Sequence, residues 1–362
     1  MNNKFLVSAL AVAMAGSVGY ANADVSLYGQ LDVSIDATDV DGGSDDVNMG
    51  ANRSAIGIKG KEKISDNLTA VFKTEFQVDI DDFGQAKGTN EDDTSEGGDA
   101  DGFKGRDMYI GLQGSGWGRV LFGSISTAYK SPGSKIDPWY RTRIQSRNVG
   151  LQSTLHKGRG EEGEGRAQNT IRYDTPKFFG GLTGTATYTL DNNEADGESD
   201  SPYSLGVQYK GNGFFGFASY MTTDQEIGAA DNNEVFQVGG KYNIAGFGIR
   251  GIYEVDKGLI TSKGSAADDG ADIWSIGVDY ALGNNLITVD YGIGKEKDNI
   301  AGEYAAWRLG VQHKFTKRTK VYLGYSNTDS DDFNQLNTIT GLTENVKGGE
   351  SEILTLGMRH NF

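Results

Sequence analysis

Single apolar and polar residues alternate along most of this chain after residue 23. Near the C-terminus, Leu354, Leu356 and Met358 share one parity, and Thr355 and Arg359 share the other. Successive side chains of a β-strand point to opposite faces, so this pattern predicts strands with one apolar and one polar face. Beyond residue 23 no apolar run reaches the ~18 residues that a membrane-spanning helix needs, so a membrane location would require a β-barrel.

The connections between the predicted strands are alternately short and long. Short ones include 114–116, 211–213 and 283–285. Long ones lie near 37–50, 80–103, 125–166, 191–202, 222–233, 256–271, 295–302 and 327–349. A soluble β-sandwich also alternates apolar with polar residues, but it has no reason to keep this order of connections. Short periplasmic turns alternating with long extracellular loops are typical of outer-membrane barrels.

The alternating segments number sixteen. They lie near 25–36, 52–62, 67–79, 105–113, 117–124, 167–175, 181–190, 202–211, 213–222, 234–243, 247–256, 272–282, 286–294, 303–315, 318–326 and 351–362. We therefore predict an all-β fold, a sixteen-stranded antiparallel transmembrane β-barrel with both termini on the periplasmic side. Aromatic residues near the strand ends predict two girdles at the membrane boundaries. They are Tyr28, Trp117, Tyr173, Tyr188, Tyr203, Tyr220, Tyr253, Tyr280, Tyr291, Tyr304 and Tyr325.

The composition agrees with a folded β-protein. Charged residues make up 23% of the chain, a share that by itself could suit disorder. The 17 Tyr, 16 Phe and 53 Gly residues instead suit strands joined by turns. The chain has no Cys, which excludes thiol catalysis and Cys-based metal sites.

The first 23 residues differ from the rest of the chain. Lys4 precedes a largely apolar run at 5–18, and the sequence Ala-Asn-Ala at 21–23 matches an A-x-A cleavage signal. An N-terminal membrane anchor is the alternative, but a run of about 14 residues is short for a membrane span. We expect a signal peptide at 1–23 and a single β-barrel domain at 24–362.

Several segments resemble the Gram-negative trimeric porins, the general diffusion porins that include the neisserial type. They are DVSLYGQLD at 24–32, RSAIGIKG at 53–60, RDMYIGL at 106–112, NTIRYDTP at 169–176 and the terminal RHNF at 359–362. The resemblance implies a sixteen-stranded porin barrel, a homotrimer, and a third extracellular loop that folds inward and constricts the pore. The connection at about 125–166 is the third long one and corresponds to that loop.

Charge is distributed unevenly around the predicted pore. Residues 128–148 carry five basic side chains against one acid, and the polar faces of the strands add further charges. We expect the constriction and the adjacent lumen to be lined by Lys130, Lys135, Asp137, Arg141, Arg143, Arg147, Arg53, Lys73, Glu75, Arg119 and Arg172. Alternatively, some of these arginines only brace the loop. A basic constriction favours anions. Acidic residues are concentrated in the first two long loops, where they form either a solvated surface or a divalent-cation site.

These features predict a water-filled channel of the Gram-negative outer membrane for passive diffusion of ions and small hydrophilic solutes. The partners expected are outer-membrane lipid and these solutes, and no nucleic acid, because the net charge is −16. We expect no catalytic residue, cofactor or metal. The histidines are His156, His313 and His360, and the chain has no G-x-S-x-G or H-E-x-x-H motif. A barrel that acts as a structural anchor or adhesin without an open channel is the alternative.

Overall fold

The computed structural model describes residues 23–41, 45–81, 103–153, 156, 159–160, 165–190, 201–223, 233–256, 271–296, 303–330 and 349–362. Apart from Ala23, the predicted signal peptide lies outside the described residues and stays a prediction. Most of the second acidic loop also lies outside them. Among the described residues, no group of three or more His, Cys, Asp or Glu side chains is arranged to hold a metal ion.

Almost all regular structure in the described residues is β. The strands are β1 Ala23–Val40, β2 Asp46–Ala51, β3 Ala55–Ser65, β4 Leu68–Val78, β5 Phe103–Gly114, β6 Gly118–Ser126, β7 Arg159–Gly160, β8 Arg166–Asp174, β9 Leu182–Thr189, β10 Tyr203–Gly211, β11 Phe214–Thr223, β12 Asn233–Ile244, β13 Phe247–Asp256, β14 Ala271–Leu282, β15 Asn285–Glu296, β16 Glu303–Lys314, β17 Thr319–Ser330 and β18 Gly349–Asn361. The short helix α1 Lys130–Ile136 and the 3-10 turn Ser146–Asn148 lie between β6 and β7. No helix in the described part of the chain is long and apolar enough to cross a membrane.

These strands form a closed barrel of sixteen. β2 and β3 pair with successive parts of β1, so they act as one barrel strand interrupted at 52–54, and β7 is a two-residue segment beside the start of β8. The barrel closes where β1 pairs with β18, for example Val33 opposite Met358. Closure leaves no sheet edge unpaired, which a bilayer requires. The predicted sixteen-stranded antiparallel barrel is therefore confirmed.

The first predicted loop is shorter than expected. β1 continues to Val40 and β2 begins at Asp46, so the two paired strands together cover most of the predicted loop at 37–50. Val47 and Met49 of β2 alternate with Asp46, Asn48 and Gly50 and are 68% and 60% exposed, so the outward-facing apolar pattern continues into this segment.

The two faces of the sheet follow the predicted parity. On β18, Leu354, Leu356 and Met358 are 48%, 55% and 47% exposed. Ile353 and Thr355, which have the other parity, are 1% and 0% exposed. The exposed apolar face suits contact with lipid, and the covered face is the mainly polar one. We call the covered face the inner face.

Two tyrosines depart from the predicted girdles. The Tyr28 hydroxyl donates a hydrogen bond of 2.8 Å to Glu75, and the Tyr304 hydroxyl donates one of 2.9 Å to the carbonyl of Gly150, so both rings lie on the inner face. Their assignment was wrong because a position near a strand end does not decide which face a side chain takes. Tyr188 and Tyr203, by contrast, are 47% and 41% exposed on the outer face.

Candidate functional site

The connection between β6 and β8, residues 127–165, contacts the inner face of the sheet. We call it the connecting segment; its bounds agree with the predicted loop at 125–166. Trp139, Ile144 and Leu151 of this segment are at most 1% exposed and form one apolar cluster with Tyr322 of β17. These side chains follow no strand or helix period, which is why the sequence showed no apolar face here.

Trp139 packs against two glycines of the inner face, Gly310 of β16 and Gly324 of β17. A Cβ atom at Gly310 would lie 2.6 Å from the Trp139 ring, and one at Gly324 would lie 2.8 Å from it. The indole N–H donates a hydrogen bond of 2.8 Å to the Thr288 hydroxyl. The two glycines therefore make room for the largest apolar side chain of the connecting segment.

Arg308 joins the connecting segment to β15 and β16. Its side chain is 0% exposed; it donates a hydrogen bond of 2.6 Å to the Ile144 carbonyl and lies 3.2 Å from Asp137 and 2.8 Å from Asp290. Asp137 also accepts a hydrogen bond of 2.8 Å from the backbone N–H of Ser146. In this position the Asp137 carboxylate braces the segment against the sheet.

A second anchor centres on Glu254 of β13, which is 1% exposed. Its carboxylate accepts hydrogen bonds from the Tyr129 hydroxyl at 2.8 Å and the Ser153 N–H at 3.1 Å, and it lies 3.0 Å from His156 Nε2. The rings of Tyr129 and His156 stack with centroids 4.2 Å apart. His156 therefore holds the segment in place.

Several predicted site residues meet at Glu75 of β4. The Glu75 carboxylate lies 2.5 Å from Arg106 Nε, 3.1 Å from Arg141 Nη2 and 3.1 Å from Lys73 Nζ. Three cations therefore share one carboxylate. Charge-assisted bonds of this kind orient each guanidinium strongly.

Arg141 has an uncommon backbone conformation. Its φ is +66°, in the left-handed region that non-glycine residues rarely adopt. Arg359 of β18 donates hydrogen bonds of 2.9 Å to the carbonyls of Tyr140 and Arg141. These bonds hold the backbone at Arg141 in place.

A neighbouring group of charges centres on Asp107 of β5. Its carboxylate lies 2.8 Å from Arg166 Nε and 3.2 Å from Lys73 Nζ. Arg147 of the connecting segment donates hydrogen bonds to the His156 carbonyl at 2.9 Å and to Gln145 Oε1 at 3.1 Å.

Three further predicted residues are Lys130, Arg53 and Arg143, of which Lys130 lies close enough to Arg166, Arg106 and Arg53 for their charges to act on it. Lys130 is 5% exposed, and burial, together with Arg166, lowers its pKa well below the usual value for lysine. Arg53, with a φ of +55°, occupies the interruption between β2 and β3. The carbonyl of Arg143 accepts a hydrogen bond of 2.9 Å from Asn148 Nδ2.

The remaining predicted residues lie apart from Glu75. Arg119 and Arg172 both bind Asp174, at 2.7 Å and 2.8 Å. Arg172 also donates a hydrogen bond of 2.6 Å to the Ser126 carbonyl, where the connecting segment begins. Lys135 donates a hydrogen bond of 2.5 Å to Gln208.

Sequence reasoning missed Arg106, Arg166, Trp139 and Tyr140 as site residues. Arg106 and Asp107 are neighbours in sequence, yet both bind partners on the inner face. The pairing of β4 with β5 shifts register between Thr74 and Phe76, and such a bulge redirects side chains that strict alternation would place on opposite faces.

Comparisons with known proteins agree with this architecture. The family model described as Gram-negative porin matches residues 8–332. The major outer membrane protein P.IB of Neisseria sicca is 25% identical, over 98% of this chain and 99% of that protein. The protein of the same name from Neisseria meningitidis serogroup B (strain H44/76) is 26% identical, over 98% of this chain and 99% of that protein.

Solved structures share the fold. The anion-selective porin of Comamonas acidovorans superposes with a TM-score of 0.73 at 20% identity, over 94% of this chain and 100% of that chain. OmpF of Salmonella typhi gives 0.64 at 17%, over 93% and 97%. A trimer form of OmpT of Vibrio cholerae gives 0.60 at 15%, over 94% and 99%.

Proposed function

Because this chain belongs to the Gram-negative porin family, we propose that its connecting segment narrows the barrel and makes the opening selective for anions. The protein is an outer-membrane channel for the passive diffusion of ions and small hydrophilic solutes. What is proposed is the position of its narrowest part and the residues that line it.

The contacts of the connecting segment with the inner face carry this proposal. Trp139 and Arg308 anchor the segment on β15 to β17, and Glu254 anchors it on β13. A segment held on the inner face of a closed barrel occupies space through which solutes pass.

Charge at this position supports a preference for anions. Lys73, Arg106 and Arg141 share the single carboxylate of Glu75, so the local balance is positive. A charge in a narrow opening sets the local concentration of each ion, because every permeating ion passes close to that charge. Salt screens any charge that lies more than about 10 Å from the permeating ion, so a charge at the narrowest part outweighs one beyond that distance.

Replacing both Arg141 and Arg143 by Glu tests the position and the sign together. One unit charge about 5 Å from an ion in water contributes about 0.8 kcal/mol, and the two reversals change the local charge by four units. We expect the anion-to-cation permeability ratio, obtained from the reversal potential in a salt gradient, to fall at least roughly tenfold. Glu replacing Lys317 and Arg318, in the exposed turn between β16 and β17, is the charge-matched control.

An unchanged reversal potential in the Arg141 and Arg143 variant would contradict the proposed lining. A folded protein that gives no conductance steps would instead favour the alternative of an anchor or adhesin barrel. The P.IB relatives and the trimer form of OmpT support a homotrimer, which mass measurement of the detergent-solubilised protein before and after heating would test.

A further inference from the structure

Tyr140 lies among guanidinium groups on the connecting segment. The Cζ atoms of Arg147 and Arg141 stand 5.1 Å and 5.7 Å from the centre of its ring. The Tyr140 side chain is only partly covered, so water has access to it. This tyrosine therefore adjoins the charges that we assign to the narrow part of the channel.

Two further arginines act on Tyr140 from the sheet, Arg106 from β5 and Arg166 from β8. The carboxylates that could offset these cations are already engaged: Glu75 binds Arg106 and Arg141, and Asp107 binds Arg166. Lys73 shares both carboxylates. Four arginines therefore act on Tyr140, and the two carboxylates bound to three of them, Glu75 and Asp107, are also shared with Lys73.

This surplus of positive charge stabilises the negatively charged form of a neighbouring phenol. Burial by itself would raise the pKa of Tyr140, but Arg147, Arg141 and the two sheet arginines lower it to about 7. Lys130 of α1 experiences the same surplus in the opposite sense, because burial and the arginines favour its neutral form. Both shifts have the sign that a net positive charge produces: Tyr140 favours its anionic form and Lys130 favours its neutral form.

We propose that Tyr140 is a specificity-determining residue that couples the ion selectivity of the channel to pH. At acid pH its hydroxyl is intact and the arginine cluster keeps its full positive charge. As pH rises the O–H bond breaks, the proton passes to water in the lumen, and the phenolate offsets one guanidinium. The preference for anions therefore weakens as pH rises. This inference rests on the proposed position and lining of the narrow part of the channel, and it names a residue that regulates the ion selectivity there.

Reversal potentials recorded on either side of pH 7 test the proposal, because the pKa of Tyr140 lies at about 7. For the unmodified protein we expect the anion-to-cation permeability ratio to fall at least roughly fourfold, as for one unit charge about 5 Å from the permeating ion in water. Tyr140→Phe should abolish this step and keep the ratio of the acid form. Tyr109→Phe, on β5, should retain the step.

Three results would overturn the proposal. One is a pH step of unchanged size in Tyr140→Phe. Another is loss of the step in Lys130→Met with Tyr140 intact, which would assign the titration to Lys130. The third comes from tyrosinate absorbance of the folded protein, which needs no conductance: if the difference between the unmodified protein and Tyr140→Phe shows no phenolate forming near neutral pH, Tyr140 does not ionise there. If Tyr140 gives a clear tyrosinate signal but the protein gives no conductance, the channel function is refuted, whereas the ionisation of Tyr140 near neutral pH is not.

Discussion

Replacing Trp139 by Ala should release the connecting segment from the inner face. The Trp139 side chain is 0% exposed and fills the space above Gly310 and Gly324, and its N–H is bonded to Thr288. Truncating a buried tryptophan typically costs about 3–5 kcal/mol. If docking of the segment is a local equilibrium, this loss raises the population of the undocked state by roughly two to four orders of magnitude.

Limited trypsin digestion of the folded barrel measures this release. The segment carries buried trypsin sites at Lys130 and Arg147, which are 5% and 3% exposed, and a partly buried one at Arg143. We expect Trp139→Ala to be cut there much faster than the unmodified protein, and its single-channel conductance to be larger and noisier. Trp117→Ala is the matched control, because Trp117 is 40% exposed and lies in the turn between β5 and β6. Equal cutting rates and equal conductance in Trp139→Ala and Trp117→Ala would refute the argument that Trp139 holds the segment.

Two further changes test the anchors and the closure of the barrel. Arg308→Met leaves Asp137 without its cation, and breaking a buried ion pair costs about 3–5 kcal/mol, so we expect unfolding at lower denaturant concentration, with Arg308→Lys intermediate. Equal denaturant midpoints for Arg308→Met and Arg308→Lys would contradict the role of the ion pair between Arg308 and Asp137. Gly29→Ala would place a Cβ atom 2.2 Å from the Phe362 ring, and crowding of this kind costs about 1–3 kcal/mol, so heat should unfold the barrel at a lower temperature. Gly116→Ala meets open space and should unfold like the unmodified protein; if the two variants unfold together, the Phe362 contact does not matter.

The covalent order of residues was enough to predict the barrel. Alternation identifies the strands because a bilayer on one side and water on the other impose a period of two, independent of the rest of the chain. Leu354 and Leu356 on the outer face and Thr355 on the inner one follow directly. An even number of strands with alternating connections then leads to closure, which the pairing of β1 with β18 confirms.

Parity alone cannot decide which inner-face side chains meet. Lys73 and Glu75 were predicted on the inner face, but their neighbours Arg106 and Asp107 come from a strand whose register shifts at a bulge. Arg119 and Arg172 share that face, yet bind Asp174 and lie apart from Glu75. Position along the barrel axis depends on the stagger between strands, which no single strand contains.

The connecting segment shows the same limit most clearly. Its basic residues were evident from composition, but its hold on the barrel comes from Trp139, Arg308 and Glu254, which belong to distant parts of the chain. Tyr140 acquires its charged surroundings only when β5, β8 and the segment meet. The sequence by itself determined the alternating faces, because they follow from local backbone geometry. The tertiary structure decided the site, because electrostatic and packing interactions act through space between residues that are remote in sequence.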